Sequence, residues 1–284
     1  MARITIGNRG SVLAIAQART VLAELTSEWP DVNIVLKTVR AQAGAHDELL
    51  AALQKGSINI AVQGLEDLPA ELPEGLTLAA VSRRLEPRCA LVAKGGKSLQ
   101  DLPSGAKVGV RSARDKAFLL VHFKQLSAQL LSGDIDQDLA TLAAGELDAL
   151  ILPAAGLIQL ERRHSIDALL EPAVFAPAAG QGSLALVVRE GDDLASDLAY
   201  TMQHRPSFDR AAAERSFVQA FGAHKDQAIG ALASVSSDGE LNLFGALASL
   251  DGDLIIQAEV SGDASEAREL GRELAQDVRE QFGA

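Results

Sequence analysis

The side chains best placed to do chemistry in this 284-residue sequence are an isolated carboxylate, a few arginines beside serines, and a single thiol. Asp67 stands just before Leu68-Pro69. A carboxylate there can hold negative charge against a developing cation, and it can equally cap the turn ahead of the proline; both readings stay open. Arg9 and Ser11 fall where a strand gives way to an apolar-periodic run. A helix N-terminus at that point could receive a small anion on its unpaired N–H groups, or Ser11 could be an ordinary cap beside a surface arginine. Cys89 is the only cysteine, which excludes an intrachain disulfide and a multi-cysteine metal site and leaves a small buried hydrophobe as its default role. The five histidines show no ligand spacing, and His46, close to a helix start, reads as a solvated first-turn residue. No metal is expected.

The formal charge of -12 repels polyphosphate backbones and anionic lipid surfaces, so neither nucleic acid nor membrane is an expected partner. No run of about 18 apolar residues occurs, and Met-Ala-Arg-Ile-Thr-Ile opens directly as a strand without a leader pattern. A soluble cytoplasmic protein is the expectation.

The elements that must position these groups alternate short apolar strands with amphipathic helical stretches, the pattern of α/β domains. Candidate strands include Arg3 to Ile6, Asn33 to Val39, Ile58 to Val62, Leu76 to Val81, Ala90 to Ala93 and Ala149 to Leu152. Ser11 precedes a helical run to Leu25 and Asp134 another to Ala144, each as a predicted N-cap. Pro and Gly punctuation at Glu86-Pro87, Leu102-Pro103-Ser104-Gly105 and Ala176-Pro177 marks places for the chain to pass between domains. Beyond Arg205-Pro206 the pattern becomes a helix, alternating segments parted by Ser237-Asp238-Gly239 and Asp251-Gly252-Asp253, and a closing helix from about Ala264 to Glu280. This predicts a small α+β domain.

Several segments match a known family in order and spacing. Asn8-Arg9-Gly10-Ser11-Val12-Leu13-Ala14-Ile15-Ala16-Gln17 is similar to T-R-x-S-x-L-A-x-x-Q, and Ile60-Ala61-Val62-Gln63-Gly64-Leu65-Glu66-Asp67-Leu68-Pro69 to I-A-V-H-S-x-K-D-V-P. Glu86-Pro87-Arg88 stands for D-P-R, Gly109-Val110-Arg111-Ser112-Ala113-Arg114-Asp115 for G-T-S-S-L-R-R, Gly180-Gln181-Gly182 for G-Q-G, and Ala213-Glu214-Arg215-Ser216-Phe217 for A-E-R-x-F. On these segments the chain resembles the porphobilinogen deaminase (hydroxymethylbilane synthase) family of tetrapyrrole biosynthesis.

The resemblance implies three α/β domains, the first two resembling a type II periplasmic-binding-protein fold with the active cleft between them. The boundaries expected are 1–84 with 178–203, then 85–177, then 204–284. It also implies a transferase: porphobilinogen loses ammonia to give a methylene-pyrrolenine cation, and four units are added to a dipyrromethane primer tethered by thioether to a cysteine. Asp67 falls on the catalytic aspartate, and Arg9, Ser11, Ser112, Arg114, Gln181 and Arg215 on substrate-binding positions. Gly180-Gln181-Gly182 can equally be an interdomain hinge.

The departures are as informative as the matches. The family's E-G-G-C-x-x-P-I-G reads Gly222-Ala223-His224-Lys225-Asp226-Gln227-Ala228-Ile229-Gly230, which puts Lys225 at the cofactor-attachment position. An amine adduct there repeats the aminomethyl group that the substrate itself loses, so Lys225 is a leaving group rather than an anchor. Glu66 replaces a lysine, Asp115 the second arginine of a pair, and Asp138 the last arginine of R-G-N-x-x-x-R, while Gln159 stands at a further basic position. Each lost charge-assisted contact to a carboxylate is worth about 1.5–3 kcal/mol. The lid region between Val39 and Glu48 is short and lacks its basic residues. The expectation is a divergent, monomeric member without a covalent cofactor, whose small-molecule ligand is porphobilinogen or another small anion. Its function is either that of the family in altered form or that of a repurposed two-lobed small-molecule-binding protein.

Overall fold

The computed structural model describes residues 2–40, 48–222 and 228–283. The chain divides into two compact units, Met1–Leu85 with Ser183–Phe208, and Glu86–Gly182 with Asp209–Ala284.

The first unit begins with β1 (Arg3–Asn8), α1 (Val12–Glu28), β2 (Asn33–Thr38), α2 (Glu48–Gln54), β3 (Ile60–Gly64) and β4 (Leu76–Val81). The second continues with β5 (Cys89–Ala93), β6 (Lys107–Val110), α3 (Ala113–His122), β7 (Ser127–Leu130), α4 (Ile135–Ala143), β8 (Ala149–Pro153), α5 (Ala154–Gln159) and β9 (Ala168–Leu169). The chain then returns to the first unit as β10 (Leu184–Arg189) and α6 (Asp193–Tyr200). The last segment holds α7 (Arg205–Ala220), β11 (Ala228–Val235), β12 (Glu240–Ala248), β13 (Ile255–Asp263) and α8 (Ala267–Gly283).

Two five-stranded sheets share one plan. In the first, ordered β2-β1-β3-β10-β4, the strand β1 runs parallel to β2 and β3, and the returning β10 lies antiparallel between β3 and β4. In the second, ordered β7-β6-β8-β5-β9, β6 runs parallel to β7 and β8, and β5 takes the antiparallel place. Central strands β3, β5 and β10 are buried nearly throughout because helices or loops cover both faces, which is why they read as continuous apolar runs. The mixed α/β class and the small C-terminal α+β domain are as the sequence led us to expect.

Both predicted N-caps form. The Ser11 side chain accepts from Ala14 N, and Asp134 accepts from Gln137 N in a reciprocal capping box. The third sheet is an antiparallel meander, β11-β12-β13, turning at the predicted Asp-Gly sites. At the second turn Gly252 has φ of 78°, and a Cβ there would stand 2.5 Å from the Leu120 Cβ on α3. The meander has its own core with α7 and α8, built on Phe217, Leu241, Leu243 and Leu274. It also lends Ala228, Ala246 and Ala248 to a core that holds Val108, Phe118 and Phe175 of the second sheet's layer. One packed interior therefore joins the C-terminal domain to the second lobe. Among the described residues no helix is long and apolar enough to cross a membrane.

Candidate functional site

In the first unit the turn from β1 into α1 is set by Asn8, which is 1% exposed. Its Oδ1 accepts from Gly10 N at 3.0 Å and from Thr38 Oγ1 at 3.4 Å. Gly10 has φ of 85°, and any Cβ would lie 2.6 Å from Thr38 Cγ2, so glycine is required to bring Ser11 to the cap. This geometry aims Arg9 at the short 3-10 turn Leu65–Asp67 that follows β3. Arg9 Nη1 lies 3.2 Å from Asp67 Oδ2, and Nη2 donates to the Asp67 carbonyl at 3.5 Å. Among the described residues the Asp67 carboxylate pairs with Arg9 and not with the turn beside it. The side chains are 30% and 58% exposed, so water screens the pair and it adds about 1 kcal/mol at most. Asp67 is thus a fixed, accessible negative charge with one guanidinium beside it.

Just upstream, Gln63 on β3 is 2% exposed, and neither Nε2 nor Oε1 finds a hydrogen-bonding partner among the described residues. Its neighbour in register is Ala185 of β10. The apolar run around it gave no sign of an unpaired amide.

In the second unit Ser112 caps α3, its Oγ accepting from Asp115 N at 3.0 Å. Arg114, in the first helical turn, donates through Nε and Nη2 to Asp115 Oδ1 at 3.1 and 2.7 Å. Arg111, on the other side of the cap, donates to Asp138 of α4 and to the Gly133 carbonyl at 2.8 Å. Asp115 and Asp138 are 4% and 3% exposed. Burial pushes the Asp138 carboxyl up, and Arg111 draws it part of the way back. Sequence reading named Asp115 and Asp138 as lost cations and missed that each becomes the partner of an adjacent arginine.

Cys89 opens β5 and is 1% exposed, the buried small hydrophobe expected of it. Burial, reinforced by the negative charge of Asp115, pushes its thiol up to about 12. Gln181 is also 1% exposed. Its Nε2 donates to Pro87 O at 2.6 Å and reaches Cys89 Sγ at 3.6 Å, while its Oε1 accepts from Ala178 N at 3.3 Å. The side chain thereby ties the segment entering β5 to the Gly180-Gln181-Gly182 segment that leaves this unit. Glu214, fully buried on α7, accepts from Gly180 N and from Ala233 N of β11, both at 2.7 Å. Arg215 follows it, and burial pushes its guanidinium down from the ordinary value.

Arg9, Ser11 and Asp67 therefore come together in the first unit, and Ser112, Arg114, Gln181 and Arg215 belong to the second. Lys225, His46 and residues 41–47 of the expected lid region between Val39 and Glu48 lie outside the described residues. Gly230, which helps to fix the register of position 225, is held in place: a Cβ there would meet the Ala176 Cβ at 2.4 Å. Among the described residues no group of three or more His, Cys, Asp or Glu side chains could hold a metal ion.

The family model described as porphobilinogen deaminase, dipyromethane cofactor binding domain, matches residues 4–197, and that for the porphobilinogen deaminase C-terminal domain matches residues 208–280. The porphobilinogen deaminase of Thermus thermophilus is 46% identical, over 99% of this chain and 96% of the relative. That of Deinococcus radiodurans is 41% identical, over 100% and 97%. Among solved structures, the methionine-binding protein MetQ aligns with a TM-score of 0.48 at 16% identity, over 75% of this chain and 94% of that one.

Proposed function

From the premise that this chain belongs to the porphobilinogen deaminase family, we propose that it is a member without the tethered primer, which binds a small molecule rather than building a tetrapyrrole. The observation that carries this reading is the state of the chain's only thiol. A thioether needs an accessible thiolate, and Cys89 is sealed in the core with its ionisation pushed up to about 12. Residue 225, the attachment position by register, is a lysine. The donor set thus does not fit dipyrromethane. The paired state of Arg111 and Arg114 points the same way, since both guanidinium forks already hold carboxylates. What the chain offers a ligand is the Arg9 and Asp67 pair, a cation and an anion side by side beside a helix N-terminus.

A second reading is favoured by Asp67 itself. At 58% exposure it is free to face a cationic pyrrole, so that porphobilinogen could still be consumed with a primer held noncovalently or not at all. Both readings are tested by incubating the purified protein with porphobilinogen, then measuring intact mass, residual substrate and, after oxidation, uroporphyrin. We expect no two-ring adduct and no consumption. A two-ring adduct sinks the proposal outright, and consumption that is lost in Asp67→Asn moves the chain to the second reading.

A further inference from the structure

In the first unit the order β2-β1-β3 takes the chain from β1 to one side and then back past it to the other. The carboxyl ends of β1 and β3 are therefore a topological switch point, the place where open α/β sheets receive their ligands. Gly7 stands beside Ala61 in the parallel register, and two residues further along from each lie Arg9 and Gln63. Asp67, the partner of Arg9, ends the 3-10 turn into which β3 runs. Ile60 and Val62 point into the core with α1 and α6, so Gln63 lies on the opposite face, together with Ala61 and, across the ladder, Ala185.

Gln63 is 2% exposed, and both its Oε1 and its Nε2 are without a partner among the described residues. Ala61 and Ala185 beside it have no polar side chain to offer. An amide buried in this state lowers stability, and a methionine of nearly the same size would not. The chain carries that cost at the switch point, beside its one exposed pair of opposite charges in this turn. The family pattern I-A-V-H-S has histidine at this position, and a neutral imidazole likewise presents a donor and an acceptor. We propose that Gln63 is a ligand-binding residue, whose amide hydrogen-bonds the small molecule received by Arg9 and Asp67, directly or through one bridging water. The ligand this set fits is zwitterionic. It brings an anion for Arg9, a cation for Asp67 and, for Gln63, a neutral N–H donor beside an acceptor. Porphobilinogen, with its aminomethyl group, carboxylates and pyrrole N–H, has all three. The inference rests on the reading above that the Arg9 and Asp67 pair is what the chain offers a ligand.

The test sets calorimetry with porphobilinogen beside urea unfolding, on the full chain and on its Gln63→Met variant. Gln63→Met should unfold at a higher urea concentration and yet bind porphobilinogen about threefold to tenfold more weakly, the scale of one neutral hydrogen bond. An amide with a purely structural role predicts the reverse, a less stable variant of unchanged affinity. If Gln63→Met does not fold, Gln63→Asn, which draws the amide back by one methylene, is read for the same loss of affinity. A folded variant that binds as tightly as the wild type overturns the inference, and so does a folded Gln63→Met less stable than the wild type. A wild type that binds no porphobilinogen also overturns it, while leaving a different small molecule open to the proposed function. Turnover of porphobilinogen sinks the proposed function instead, and the loss in the variant is then read as a raised KM at unchanged kcat.

Discussion

Replacing Cys89 with alanine, and titrating the native thiol, probes the premise that no sulfur is available to tether a primer. The side chain is 1% exposed, and burial with Asp115 nearby moves its ionisation from an ordinary value near 9 to about 12. Three pH units reduce the thiolate at neutral pH about a thousandfold. Iodoacetamide at pH 7.5 should therefore leave the folded protein unmodified over hours, by intact mass, and label it stoichiometrically in urea. The same shift sets a pH dependence of stability. Between about pH 9 and 12 the unfolded chain has released a proton that the folded chain still holds, so stability falls as pH rises. The slope is about 1.4 kcal/mol per pH unit, or about 4 kcal/mol across the window. It is fully absent in Cys89→Ala, so urea titrations at pH 8.5 and 10.5 should show the wild type losing more stability than the variant. Rapid alkylation of the folded protein would refute the reasoning, and so would equal pH slopes for the two proteins.

Other parts of the structure make equally direct predictions. Gln63→Met removes a buried amide that has no partner among the described residues, and should raise stability by about 1–3 kcal/mol in urea unfolding. A loss of stability there would show that the amide is satisfied in solution. Glu214→Ala leaves the Gly180 and Ala233 N–H groups without their carboxylate and should cost about 2–5 kcal/mol, with faster hydrogen exchange at both amides. Retained protection at either amide would mean that Glu214 is not what ties the Gly180 segment to β11.

Family membership was legible in the sequence because the motifs that carry it are short and local. Arg9 and Ser11 at a strand-to-helix turn, Asp67 before a proline and the Ala213-Glu214-Arg215 helix each depend on neighbours within a turn or two. The same locality explains why the N-caps at Ser11 and Asp134 and both Asp-Gly turns formed where patterning placed them. Strands β6, β7, β9 and β10 were not among the expected strands. Of these, β7 is an edge strand with no buried residue and β9 is an edge strand of two residues, so neither leaves a hydrophobic pattern to read.

By itself, then, the sequence determined the family and the α/β pattern, and it places a lysine at 225 and aspartates at 115 and 138. Only the tertiary structure decided what became of the charges that remained. Arg9 meets Asp67 across 58 positions and Arg111 meets Asp138 across 27, while Cys89 disappears into a core. Local patterning cannot report such encounters. A side chain's neighbours across tens of residues are set by how strands order themselves in a sheet and which helix covers them, and the cost of burying a charge becomes visible only when its counter-ion is in place.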